Sequence, residues 1–353
     1  MASQTGTLDI TSLLAARFPV TAAAFGLDTI EKVLANDLAA HNVLVAEMVG
    51  EMCEITTDRQ RIYGSSANGD MQETDEYGLT PTQKIVTGAT VGFPLKLFQY
   101  NLGWTAKWLE IHSPADMATA VLAAEKAHKR EILRQIKKAA YVSANYTHLD
   151  HLVDNVSLAI KRFVNADSAA IADGPNGEVF VPSSHSHYDG EASLTAPFLL
   201  AEINNVIEHG HGGAVKVAIS KTNEAAVRAL TGFVAYPDPR IIYRVSDTPG
   251  QTLDISRLDN RAIGIFGGAE IWVKSWAIAS YYFVWDAEDP MKPLAFRQRN
   301  ATAMQGLRVA ALNNDYPLLA KDMEAEFGIA VWTRTNGAVL YDANATYADP
   351  TIA

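Results

Sequence analysis

The sequence predicts an α+β protein of two lobes carrying an extended β-hairpin and one long helix, and three observations support that reading. At 353 residues the chain exceeds the roughly 250 to 300 residues at which a single core stops growing. Between Gly50 and Tyr141 two strand-like stretches, parted by a small polar turn, lead into an amphipathic helix. Beyond Leu194, short apolar strands alternate with short helical patterns, as a second lobe requires. Hydrophobic residues make up 48% and charged residues 20%, near the globular average of about 45 to 50% and 25%.

Taken in order, residues 1–27 are rich in Thr, Ser and Ala, and Arg17-Phe18-Pro19 breaks any periodicity, so they read as an extended arm. From Asp28, a candidate N-cap, Ile30, Val33, Leu34, Leu38 and His41 mark a short helix. Arm and helix fill residues 1–48. Residues 49–111 form the hairpin loop. Its outward leg is Glu51 to Tyr63, its turn Gly64 to Asp70, and its return leg reaches Ile111 through Val86, Val91, Phe93, Leu95, Leu97, Phe98 and Trp104. So long a ribbon cannot cover its own faces, and its bare edges would template uncontrolled pairing. The simplest cover is a second copy of the chain. Arg59, Arg61, Tyr63, Asp70, Phe93, Phe98 and Trp104 are therefore the candidate assembly-interface residues.

The long helix opens at Ser113-Pro114, a cap followed by proline where its missing N–H costs nothing. Met117, Val121, Ala124, His128, Ile132, Ile136 and Ala139 recur on one face, with Lys126, Arg130, Arg134 and Lys138 on the other. At 1.5 Å per residue some thirty residues span roughly 45 Å, the length of a spine. A second helix is expected over Leu149 to Phe163, then a turn-rich excursion over residues 165–193. The second lobe offers a helix (Pro197 to Ile207), a strand (Val215 to Ile219), a helix (Asn223 to Leu230), strands near Ile241 to Val245 and Ile263 to Phe266, and one or two strands over Ile271 to Trp285. A helix over Tyr316 to Glu326, a strand from Phe327 to Trp332, a turn at Asn336-Gly337 and a strand to Tyr341 close the chain.

Charge and cysteine usage exclude several classes. With 29 basic and 40 acidic residues the net charge is −11, against a dedicated nucleic-acid binder. Cys53 is single and reads as a small buried side chain in a reducing compartment. Met1 to Phe25 lacks the features of a signal peptide, and no apolar run reaches the ~18 residues of a membrane span. The expectation is a protein that stays in the cytosol until its assembly leaves, with no membrane partner.

The residues resemble a known family at two places. One is Glu324 to Ile329 followed by Thr333 to Tyr341. The other is Gly264-Ile265-Phe266-Gly267-Gly268-Ala269-Glu270-Ile271-Trp272-Val273, a turn returning into a strand. Together with the element order over nearly the whole chain, they are similar to the major capsid proteins of tailed double-stranded DNA bacteriophages, whose Johnson fold is shared with encapsulins. The resemblance implies a peripheral domain (112–193 and 308–353) containing the spine helix, and an axial domain (194–307). It implies a non-enzymatic protein of the virion that assembles into pentamers and hexamers of an icosahedral shell. Its partners would be a separate scaffolding protein, a portal, a decoration protein, and packaged DNA touched weakly and nonspecifically. An encapsulin-like compartment shell is the alternative. Nothing before Asp28 resembles the charged helical scaffolding segment of many relatives. Lys84 with Asn336 or Asn344 has the residue identities of the Lys–Asn crosslink that welds some shells.

The remaining chemistry-bearing residues read blandly. His185-Ser186-His187-Tyr188-Asp189 and His209-Gly210-His211 supply imidazoles of the kind zinc takes. They lie among Gly and Ser without the spacing of a helical metalloprotease motif. They read as surface-loop histidines, with a metal that stabilises assembly as the alternative and a metal-dependent hydrolase as the distant one. Gly264-x-x-Gly267-Gly268 lacks phosphate-loop spacing and is a bend between strands. His128, alone on an apolar stripe, is a core histidine, and the aromatics from Trp272 to Trp285 are lobe core plus subunit contact. The sequence assigns no catalytic residue, no metal and no cofactor.

Overall fold

A computed structural model describes the chain except residues 1–8, 16–19, 65–70, 72, 75, 79–81, 83–87, 237–259, 314 and 353. The described N-terminal residues do not run extended as expected. They coil into α1 (Ile10–Ala15) and α2 (Ala22–Phe25). Asp9 Oδ1 accepts from the Ser12 amide and Thr21 Oγ1 from the Ala24 amide, capping both. Leu13 and Ala22 are wholly buried in the main core of the chain itself. Gly26, at φ 101°, turns the chain into α3 (Leu27–Gly50). This helix runs past His41 because Val45 and Val49 continue the buried stripe.

The hairpin region is divided between body and loop. Its strands are β1 (Cys53–Thr56), β2 (Gln60–Tyr63), β3 (Ala89–Gly92) and β4 (Lys96–Thr105), followed by α4 (Ala106–Ile111). Among the described residues of this region only β2 and β3 pair as a hairpin, from Gln60 opposite Gly92 to Tyr63 opposite Ala89. The spine is α5 (Pro114–Tyr141), 28 residues opened by the Ser113 and Asp116 capping box. Its expected stripe from Met117 to Ala139 is buried throughout, while Lys126 and Arg130 are exposed.

The helix expected over Leu149 to Phe163 is instead a hairpin, β5 (Tyr146–Leu149) and β6 (Ser157–Ile160). The Asp150 carbonyl accepts from the amides of Val153, Asp154 and Asn155, and Asn155 takes φ 60°, a left-handed turn that ends any helix. Leu158 and Ile160 then point inward at a period of two.

There follow β7 (Tyr188–Gly190), α6 (Ala196–Ile207), β8 (Val215–Ile219), α7 (Glu224–Arg228), β9 (Val234–Ala235), β10 (Asn260–Phe266), β11 (Ala269–Lys274) and β12 (Tyr281–Asp286). The strand expected at Ile241 to Val245 falls outside the described residues. Gly267 and Gly268, both at positive φ, close the tight turn between β10 and β11, the bend expected there. The chain ends through β13 (Leu294–Gln298), β14 (Leu307–Asn313), β15 (Leu318–Val331) and β16 (Ala338–Tyr341). β13, β14 and β15 lie in one sheet.

The helix expected from Tyr316 to Glu326 is thus the first part of a 14-residue strand. Leu, Ala, Lys, Met and Glu favour helix locally. Pairing decides otherwise, because Ala320 to Ala325 bond β14 on one edge and β4 on the other. The alternation of buried Leu319, Lys321, Met323 and Ala325 with half-buried Ala320, Asp322 and Glu324 has the period of a strand.

Two sheets organise the core. One has five strands, ordered β1-β13-β15-β14 with β4 also on β15; the other has seven, β7-β16-β12-β8-β11-β10-β9. Tyr281, Phe283 and Trp285 of β12 face the α5 side, while Tyr282 and Val284 face α6. A third cluster, with Tyr63, Val91, Phe93, Leu158, Ile160, Ala295 and Ala330, clamps the hairpin base to β6 and the five-stranded sheet. Cys53 is buried on β1, as expected. No helix among the described residues is long and apolar enough to cross a membrane.

Candidate assembly surface and histidine cluster

Most of the proposed interface residues are engaged inside their own subunit. Arg59 donates to Asp154 and lies 3.3 Å from Asp150. Arg61 forks onto Glu54 at 2.8 and 3.0 Å, reaches Asp58 at 2.6 Å, and stands over the Trp332 ring. Tyr63 Oη is 2.6 Å from Thr335 Oγ1. Phe93 is fully buried against Trp332, Phe98 packs on Phe327 at 4.7 Å, and Trp104 is buried. Asp70 lies outside the described residues.

The reason is the pairing of β1 with β13 and of β4 with β15, which turns the strands of both legs into subunit core. Ile62 on β2, and Met71 and Tyr77 further along the chain, are exposed apolar side chains. Leu312, Tyr316 and Leu318 are others around the β14–β15 turn. Their exposure is what the sequence pattern did not locate. Asn336 is completely buried, donating to Asp286 O and Met291 O and accepting from the Asp286 amide. Lys84 lies outside the described residues.

The histidines do not lie on a surface loop. His185 and His187 come from the segment entering β7, and Glu208 and His209 follow the end of α6. The three imidazole Nε2 atoms form a triangle: His185 to His209 3.1 Å, His187 to His209 3.1 Å, His185 to His187 3.2 Å. Glu208 Oε1 is 3.2 Å from His185 Nε2 and 3.8 Å from His209 Nε2. His187 is wholly inaccessible, and its Nδ1 is 2.8 Å from Gly337 O. Desolvation, reinforced by the neighbouring rings, holds His187 well below the usual histidine range and brings His209 down to about 3.

His211 leaves this group. Its Nε2 meets Thr335 Oγ1 at 2.8 Å and its Nδ1 meets Asp289 Oδ2 at 2.5 Å, so a buried chain of polar contacts runs from Asp289 to Tyr63. Glu208 was not picked out from the sequence, although it adjoins His209.

Neither a family model nor a curated protein matches the sequence. Among solved structures, a chain from Mycobacterium phage Patience superposes with a TM-score of 0.67 at 20% identity, over 99% of this chain and 96% of that one. The chain has the Johnson fold. More distant likenesses include the capsid of the native GTA particle (TM-score 0.46, 12% identity, 84% of this chain and 89% of that one). Another is the SrpI encapsulin of Synechococcus elongatus PCC 7942 (TM-score 0.43, 9% identity, 86% and 89%).

Proposed function

We propose that this chain is the major capsid protein of a tailed double-stranded DNA phage, a structural protein that assembles into a closed icosahedral shell. The observation that carries the reading is the end-to-end match in fold to a phage protein. Two features of the subunit support it. The β2–β3 hairpin is packed onto the body through Tyr63, Val91 and Phe93, and it presents Ile62 to solvent. A solvated apolar residue on such a hairpin is favourably covered by a neighbouring subunit.

In this reading the β2–β3 hairpin face that carries Ile62 is covered by an adjacent copy, and pentamers and hexamers form around the lobe containing α6 and β8 to β12. Exposed Lys126 and Arg130 contact packaged DNA weakly. Scaffolding, portal and decoration proteins are the partners that such a shell calls for. Obligate interfaces of this kind bury about 2,000 to 5,000 Å².

The test is size-exclusion chromatography with light scattering on the full chain, with electron microscopy of the largest species and sequencing of any nucleic acid inside. Shells, pentamers or hexamers are expected, and removal of residues 65–87 is expected to leave folded subunits that do not close. A monodisperse monomer at all salt and protein concentrations, with scaffold supplied, overturns the proposal. Shells filled with a cargo enzyme in place of DNA would move the reading to a compartment shell.

A further inference from the structure

We propose that His185, His187, His209 and Glu208 bind one zinc ion as a closed structural site. The inference is independent of the shell reading. In a tetrahedral zinc site with ligands about 2.0 to 2.1 Å from the ion, neighbouring nitrogens stand roughly 3.3 to 3.4 Å apart. The three Nε2 atoms are 3.1 to 3.2 Å apart, nearly equilateral. The four ligand atoms all lie within 4.8 Å of one another.

Hydrogen bonding among the rings cannot account for the triangle. A neutral imidazole has one N–H and one lone pair. His187 spends its N–H on Gly337 O, so its Nε2 presents a lone pair, and that lone pair accepts one well-directed hydrogen bond. At least one other edge of the triangle is then left unpaired. Glu208 Oε1 and His209 Nδ1 are also buried with no hydrogen-bond partner, and such orphans are costly. One divalent cation at the centre would engage all three lone pairs and the Glu208 oxygen together.

The surroundings suit a metal. The backbone carbonyl on His187 Nδ1 fixes its tautomer and ring orientation, as outer contacts of metal-bound histidines do. Phe180 packs on His185 at 4.9 Å and His209 at 4.1 Å, giving the site an apolar wall. Three imidazoles and one carboxylate fill four positions, and structural zinc is four-coordinate, whereas a catalytic zinc keeps one position for water. The consequence is mechanical: one ion would pin the end of α6 to the segment entering β7 and, through Gly337, to the turn before β16.

The experiment uses the untagged full chain. Zinc content is measured after gel filtration, zinc affinity by chelator competition, and the visible spectrum after loading with cobalt(II). Expected are one zinc per subunit, a tetrahedral cobalt spectrum, and a melting temperature that falls with chelator and recovers with zinc. His185→Gln and His209→Gln are expected to weaken zinc by more than about a hundredfold, beyond the 10- to 100-fold typical of outer contacts. Glu208→Gln is expected to shift the cobalt spectrum, and exposed His151→Gln to bind as the parent does. Zinc below about a tenth of an ion per subunit after loading, an octahedral cobalt spectrum, or full retention of zinc by the His185 and His209 variants overturns the proposal.

Discussion

Acidification from neutral pH is expected to loosen α3 from the spine helix by a calculable amount, because three titrating groups are buried between them. His41 Nε2 and His128 Nδ1 stand 3.0 Å apart, with 3% and 6% of each residue exposed. Desolvation first, then repulsion from Lys129 and, for His128, from His41, lowers both from 6.5 to about 4. Glu125, 3.6 Å from His41 Nδ1, goes the other way: desolvation and then Asp37 on α3 raise it from 4.5 to about 7.

The signs follow by linkage. The histidines have folded values below their unfolded ones, so their contribution is present above about 6.5 and is lost as pH falls toward 4. Glu125 has a folded value above its unfolded one, so its contribution grows as pH falls from about 7 to 4.5. Between roughly pH 6.5 and 4.5 the unfolded chain holds two protons on these groups and the folded chain one. One net proton is about 1.4 kcal/mol per pH unit, or about 3 kcal/mol over the window.

The assay is urea unfolding of unassembled subunits at half-unit pH steps, with each variant subtracted from the parent so that the rest of the chain cancels. Glu125→Gln removes the opposing group, so its stability is expected to fall more steeply than the parent's by one further proton, about 1.4 kcal/mol per unit. His128→Gln removes one of the two histidines and is expected to flatten the dependence by the same amount. Difference curves that stay level from pH 4.5 to 6.5 would refute the reasoning.

Other outcomes follow from particular contacts. Phe93→Ala empties the cluster under the hairpin base and is expected to cost about 3 to 5 kcal/mol of subunit stability in denaturant melts. Exposed Ile62→Ser is expected to leave those melts within about 0.5 kcal/mol while slowing shell formation in light scattering. Asp150→Ala strips the buried partner of Arg297, 2.9 Å away, at an expected cost of about 3 to 5 kcal/mol; an unchanged melt would show that the β5–β6 hairpin is not held by that pair. Gly328→Ala would place a Cβ 2.0 Å from the Pro94 carbonyl oxygen. Either a melting temperature many degrees lower or insoluble protein is expected, and parent-like behaviour would contradict the β4–β15 geometry.

Much of the architecture is legible in the residues because its signals are local. Ser113, Pro114 and the stripe to Ala139 define the spine helix through capping and periodicity alone. The Val215 to Ile219 strand and the Gly267-Gly268 turn are equally local. The errors have a common cause. Leu149 to Phe163 and Tyr316 to Glu326 both carry residues compatible with helix. The left-handed Asn155 turn decided one, and two flanking strands decided the other.

The candidate sites divide in the same way. The sequence picked out His185, His187 and His209 by residue type, but it could not separate them from His211, which turns to Asp289 and Thr335, nor add Glu208. Likewise it marked Phe93 and Trp104 as apolar residues of a long ribbon without revealing that the body of the same chain buries them. By itself the sequence determined the fold class and the spine helix, since caps, turns and hydrophobic period act over a few neighbouring residues. Only the tertiary structure decided which strands pair, which apolar faces stay exposed and which imidazoles meet. Those outcomes depend on segments tens to hundreds of residues apart that are brought together when the core closes.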